Sequence, residues 1–321
     1  MDLDLVVTNL LSPPVLAFAL GVLAAAVLRA DVRLPPAVYS GLSMYLLLAI
    51  GLKGGVALSD AGVGRVWLPA VATLVLGVVT PVLAYTAGRR FARLDVLNAG
   101  AVAAHYGSVS VVTFTAALAF LDAAGVATEG FMAALVALLE VPGIIVALFL
   151  AARASHGDAD WRKALAEVVR GKSVVLLAGG VVIGALAGSQ RFTAVEPLFV
   201  GLFAGLLTLF LLEMGAVAGH HLSELREAGW RVVAMAIGQP VVQGTLGVVV
   251  GAVVGLGAGD AAVLGAMVAS ASYIAAPAAV RLALPAADPG IYLTMALGVT
   301  FPFNLAIGIP IYYGLASALA G

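Results

Sequence analysis

Long apolar stretches alternate along the chain with short breaks marked by polar residues, Pro or Gly. Ten such stretches stand out, at 13–28, 36–58, 66–87, 96–120, 130–152, 174–188, 196–218, 231–256, 260–284 and 290–318. A helix that crosses a bilayer needs about 20 predominantly apolar residues. The first and sixth stretches fall short of that length and suit spans that tilt little or sit inside a bundle. The pattern predicts an all-α polytopic membrane protein with ten transmembrane helices. Its longest polar interruption lies around 153–173 and contains RASHGDADWRKALAEVVRGK. That segment reads as a solvated linker, with a short amphipathic helix on the membrane surface as the alternative. It divides the chain into 1–153 with spans one to five, a cytoplasmic linker at 154–173, and 174–321 with spans six to ten.

Composition strengthens the membrane reading. Hydrophobic residues make up 63% of the 321 positions and charged residues 10%, against about 25% charged in a soluble domain. So much apolar surface needs lipid to cover it. With no cysteine in the chain, disulfides, thiolate metal sites and Cys nucleophiles are excluded. A net charge of −1 gives no field for nucleic acid. The start, MDLDLVVTNLL, carries acids and no basic n-region, so the first span reads as retained rather than cleaved.

Basic residues set the orientation, because cytoplasmic loops carry the Lys/Arg excess. With the N-terminus outside, the inner loops hold Arg29, Arg33, Arg89, Arg90, Arg93, Arg153, Arg162, Lys163, Arg170, Lys172, Arg226 and Arg231. The outer loops hold Arg65 and Arg191, together with the acids Asp122, Glu129 and Asp260. Both termini are therefore expected outside the cytoplasm, in a multi-pass protein of the cell membrane.

The two halves align at an offset of about 160. PAVYSGLSMYLLLAIGLKGGVAL from Pro36 lies over PLFVGLFAGLLTLFLLEMGAVAG from Pro197, with Gly54 over Gly215, and Glu140-Val141-Pro142 lies over Thr300-Phe301-Pro302. Five spans per half is an odd number, so the second copy must cross in the opposite sense. Inverted repeats of this kind mark secondary transporters. Two near-equal packings of one unit, with roles exchanged, give outward-open and inward-open states of similar energy.

Broken helices at equivalent places in the repeats point to a binding site. Span four contains His105-Tyr106-Gly107-Ser108-Val109-Ser110-Val111-Val112-Thr113, and span nine contains Ser270-Ala271-Ser272-Tyr273-Ile274-Ala275-Ala276-Pro277. Both concentrate small hydroxyl residues with a helix-weakening Gly or Pro. A break exposes N–H groups that suit an anion and carbonyls that suit Na⁺. The bland account is that Ser and Thr bond their own i−4 carbonyls and pack. Glu140, mid-span and two residues before Pro142, is a costly carboxylate at that depth and a candidate for a cation site. Glu213 is expected to pair with Lys or Arg. Lys53 reads as a snorkelling residue, Arg281 as an anchor or gate, and His105 as a hydrogen-bonded packing residue or a proton carrier. His220-His221 lacks a third metal ligand nearby. Gly171-Lys172-Ser173 looks like the end of a phosphate loop, but Ala166 stands where its first glycine is required. Glycine ladders at Gly180, Gly184 and Gly188 and at Gly247, Gly251 and Gly255 permit close helix approach, at a subunit interface or a sliding surface. No nucleophile–base constellation or HExxH motif is present, so an enzyme is not expected.

The chain resembles the sodium-dependent bicarbonate transporters, the permease family best known from cyanobacteria. The likeness begins at Ser12-Pro13-Pro14 and continues through IGLKGGVAL (50–58), close to the family's IGLTGGMAI. GSVSVVTFTAAL (107–118) is similar to the family's GAVSGSTxAAAL, Glu140-Val141-Pro142 to its acid–x–Pro, and ASASYIAAP (269–277) to its ASSSDISGP. The resemblance implies ten spans in two inverted repeats, a homotrimer, and an elevator-like mechanism. In that mechanism a mobile core carries bicarbonate and Na⁺ past a fixed gate domain, with the cargo where spans four and nine cross. It also implies a PII-like cytoplasmic regulator in cyanobacterial members. The correspondence holds at Gly107, Ser110, Thr113, Ser270 and Ser272. The family's Asp is Tyr273 here, its next serine is Ala275, and the second serine of its span four is Val112.

Residues and resemblance together give a Na⁺-coupled symporter for bicarbonate or a similar small anion, with Na⁺ as coupling ion and no other cofactor. Half-helix N-termini with Gly107, Ser108, Ser110, Ser272 and Tyr273 would hold the anion. Thr113, Ser270, Glu140, Thr300 and Asn304 would hold Na⁺. The alternative is a Na⁺- or H⁺-driven carrier of another small anion, with Glu140 and His105 as proton-relay candidates.

Overall fold

In the computed structural model the described residues are 7, 10–155, 161–221 and 229–320. They form an all-α bundle. The helices are α1 (Pro13–Leu23, prolonged by a π turn over Ala24–Leu28), α2 (Pro36–Ala61), α3 (Val63–Arg90), α4 (Val96–Tyr106), α5 (Val111–Ala123), α6 (Met132–Glu140) and α7 (Pro142–Ser155). Then come α8 (Trp161–Arg170), α9 (Lys172–Phe192), α10 (Phe203–His221), α11 (Trp230–Val253), α12 (Ala258–Val268), α13 (Ala275–Ala283) and α14 (Pro289–Ala320). Among the described residues, eight helical segments are long and apolar enough to cross a membrane, with Pro13–Leu28 and Ala258–Val268 as shorter apolar pieces. This is a multi-pass membrane protein.

Local sequence explains the boundaries. Pro13, Pro36 and Pro289 open their helices, where the missing N–H costs nothing. Asp95 caps α4, its carboxylate accepting from the N–H groups of Leu97 and Asn98. Partial burial pushes the Asp95 carboxyl up, but the donors from Asn98 and Leu97 outweigh it and hold the group below its ordinary range. Gly62 ends α2 with φ +74°, a conformation that glycine adopts without a Cβ penalty.

Packing follows a paired scheme. α2 lies along α9, and α1 lies along α10. α4 packs against α3 and α7, while α12 packs against α11 and the last part of α14. Contact between α3 and α11 joins these groups, and the Gln243 amide donates to the Thr80 carbonyl across them at 3.0 Å. The glycine ladders act within the chain. A Cβ on Gly55 would stand 2.0 Å from the Val181 carbonyl, and one on Gly184 would stand 2.2 Å from that of Leu52. Gly247 likewise meets Gly265, and Gly251 meets Ala261. Backbones this close gain dispersion contacts that larger residues would block. Gly188 and Gly255 instead take positive φ at a kink and a turn.

Within the predicted linker, Trp161–Arg170 is helical. Helix α8 packs on α13 and also touches α7 and α9, with Val168 buried. Residues 156–160 of that linker, and Arg226 of the charge count, lie outside the described residues. Glu213 has the expected partner: Arg33 Nε is 3.6 Å from its carboxylate, and the Leu34 N–H donates to it at 2.6 Å.

Candidate functional site

Both sequence breaks are present in the structure. α4 stops at Tyr106 and α5 restarts at Val111, and α12 stops at Val268 with α13 restarting at Ala275. Ser110 caps α5, its Oγ accepting from the Thr113 N–H at 3.2 Å. The second restart has Ile274 at the capping position and no side-chain cap. There the Ser272 Oγ faces the Ala276 N–H at 3.5 Å.

The breaks are tied to one another. The Ser110 N–H donates to Ser270 Oγ at 2.7 Å, and the Ser272 N–H donates to the His105 carbonyl at 2.7 Å. Ser270 Oγ–H in turn donates to the Met267 carbonyl at 2.6 Å. Backbone groups freed by two interrupted helices thus satisfy each other inside the protein, as the low-dielectric interior requires.

A cavity of about 10 Å³ lies between the breaks, room for about one water-sized species. Val109, Ser110 and Val111 line it from one break and Ser272, Tyr273 and Ile274 from the other. The N-terminal ends of α5 and α13 therefore point their positive dipole ends at one buried spot. Glu140 and Ser173 complete the lining. Glu140 is 2% exposed and its Oε2 has no hydrogen-bond partner. Ser173, at the start of α9, places its hydroxyl on the same cavity as the Glu140 carboxylate.

The nominated residues separate into groups. Ser110, Ser272, Tyr273 and Glu140 share the cavity. Ser108 Oγ–H donates to the Glu140 carbonyl at 2.8 Å, and so links the first break to the end of α6. Thr113 is one turn into α5, its N–H on Ser110. Ser270 bridges the breaks behind the cavity. Gly107 faces away from it: a Cβ there would meet Pro81 at 2.7 Å and Gly143 at 3.1 Å.

Thr300 and Asn304 lie on α14, where π turns over Thr294–Thr300 and Asn304–Gly308 flank Pro302. Such widened turns frequently accompany functional sites. The Thr300 hydroxyl bonds the Tyr106 hydroxyl and the Ala236 carbonyl. The Asn304 amide donates to the Ala269 carbonyl at 2.9 Å and accepts from Tyr312 at 2.9 Å. Both brace the breaks rather than line the cavity. The His105 Nδ1 bonds the Ala101 carbonyl at 2.8 Å, with its ring 4.5 Å from that of Tyr292, which is the packing arrangement.

Ser173 escaped the sequence reading, because its only signal was a failed phosphate-loop pattern far away in the chain. Tyr106 and Tyr312 also escaped, as aromatics in apolar spans read as core.

The family model for the Na⁺-dependent bicarbonate transporter superfamily matches residues 13–317. The chain belongs to that superfamily. No curated protein matches it closely enough to count as a relative. Membership in the superfamily places the chain among transporters. Tyr273 stands in the second break and lines the cavity. Its buried hydroxyl has no hydrogen-bond partner.

Proposed function

We propose that this protein is a secondary active transporter that takes up bicarbonate together with Na⁺. The carrying observation is the cavity at which two half-helix N-termini and the buried Glu140 carboxylate converge. Two helix N-termini favour an anion there. An ionised Glu140 opposes an anion that arrives alone. A Na⁺ ion beside its unpartnered Oε2 removes that opposition, so anion and cation enter together. Ser110 and Ser272 hold the anion, with Ser108, Gly107 and Tyr273 shaping its surroundings. Thr113, Ser270, Thr300 and Asn304 serve the cation side, directly or by fixing the carbonyls around it.

At about 10 Å³ the cavity is too small for hydrated bicarbonate, so the breaks must part to load it. The paired packing of α2 with α9 and of α1 with α10 supports two inverted five-helix repeats. In that reading these four helices form the gate domain. The broken helices and their neighbours form the core, which moves past the gate as an elevator. Ten spans, extracytoplasmic termini, a homotrimer and a PII-like regulator complete the proposal.

The test is counterflow in proteoliposomes with labelled bicarbonate, at fixed pH, with Na⁺ or with choline in its place. Flux that requires Na⁺ is expected. Flux that persists in choline would sink the Na⁺ assignment and turn attention to H⁺, with Glu140 as the relay candidate. No flux with either cation would sink bicarbonate as substrate and leave another small anion.

A further inference from the structure

Lys53 stands out among the cations of the apolar spans. It lies on α2, half-buried, with its Nζ 5.0 Å from the centroid of the Phe203 ring. The ion pairs among the described residues are Arg33–Glu213 and Arg65–Glu129, and Lys53 is in neither. Asp122 acts on it electrostatically without pairing. Lys53 lines a pocket of about 240 Å³ with Ile50, Phe114, Leu118, Thr128 and Glu129. Glu129 brings no free negative charge, because Arg65 Nη2 is 2.6 Å from its carboxylate.

The pocket's position gives the lysine a use. Phe114 and Leu118 lie four residues apart on one face of α5, the helix that Ser110 caps. Ser110 lines the central cavity, and Phe114 and Leu118 line the Lys53 pocket. Eight residues of helix rise about 12 Å, so the pocket sits toward the α5 C-terminus. Fully buried Phe114 lies between the two spaces.

We propose that the Lys53 pocket is an anion-capture vestibule for the central site, which receives a small oxyanion before it passes Phe114. The inference rests on the transport reading and deepens it. The pocket has room for a small oxyanion with several waters, which the central cavity lacks. An ammonium group at its wall attracts anions and repels cations, and the effect fades as salt screens it. A lysine whose ammonium snorkels away from the pocket would leave no such selectivity inside it.

The absence of native cysteine makes the test direct. Thr128→Cys is made with Lys53 intact, as Lys53→Gln and as Lys53→Arg. Each is labelled in proteoliposomes with anionic and with cationic methanethiosulfonate reagents of similar size. With Lys53 or Arg present, the anionic reagent is favoured. In Lys53→Gln the anionic-to-cationic rate ratio should fall about tenfold at low salt, as removal of one charge a few ångströms away predicts, and less at high salt. An unchanged ratio, or a change that Arg does not restore, would overturn the vestibule and leave snorkelling. Labelling reports on the pocket without requiring flux. A Lys53-dependent ratio in a protein that moves no bicarbonate would therefore refute the substrate and keep the pocket. In the transporting protein, Lys53→Gln should raise KM for bicarbonate several-fold with little change in maximal rate. A loss confined to maximal rate would also count against capture.

Discussion

The two breaks stand at matching places in their half-chains and are built differently. The first is locked. Ser110 caps α5, Ser108 is fixed to the end of α6, and Gly107 lies backbone to backbone on Gly143. The second is looser. α13 has no side-chain cap, Ser272 approaches the Ala276 N–H only at 3.5 Å, and the buried Tyr273 hydroxyl lacks a partner. It is held instead across to the first break, by the Ser272 N–H on the His105 carbonyl, and from α14, by Asn304 on the Ala269 carbonyl. A buried site that must open needs one wall that holds and one that yields. If the proposed site opens, the hydrogen bonds favour the first break as the wall that holds and the second, beside whose helix α13 helix α8 packs, as the wall that yields.

The largest expected effect comes from the locked side. A Cβ on Gly143 would stand 1.7 Å from the Gly107 carbonyl oxygen, so Gly143→Ala should cost about 3 kcal/mol or more. Thermal unfolding in detergent would show this as a large drop in Tm, and a wild-type Tm would remove the lock. Next is Asn304→Leu, which strands the Ala269 carbonyl and leaves the Tyr312 hydroxyl only its bond to the Pro240 carbonyl. It should cost about 1–3 kcal/mol and lower transport. Full stability would mean that the second break does not depend on α14.

The serine pair sharpens the contrast. Ser110→Ala removes a cap and should cost about 1 kcal/mol as well as transport. Ser272→Ala should weaken transport with much less loss of stability. Equal destabilisation would erase the asymmetry, and normal transport in both would refute the site. The smallest effect belongs to Tyr273→Phe. Removal of an unpartnered hydroxyl should leave stability within about 0.5 kcal/mol, so any change in anion preference reports on the site itself. A large loss of stability would mean that the hydroxyl has a structural partner after all.

Much of this was legible in the chain. Apolar runs gave the helices, because spans in lipid must satisfy their backbones internally. Hydroxyls beside Gly107 and Pro277 marked both breaks, because those residue types weaken helices where backbone groups are put to other use. Glu140 was visible as a carboxylate too costly to be incidental. Other features depended on which helix faces met. Spans that are apolar all round carry no stripe to say which side packs on which neighbour. The sequence alone therefore determined a broken-helix membrane protein and its superfamily. Only the tertiary structure brought Ser173 to Glu140, turned Gly107 away from the cavity, made Thr300 and Asn304 braces, and set Lys53 beside Phe114. Each of those depends on contacts between residues far apart in the chain, which close packing selects and local pattern does not encode.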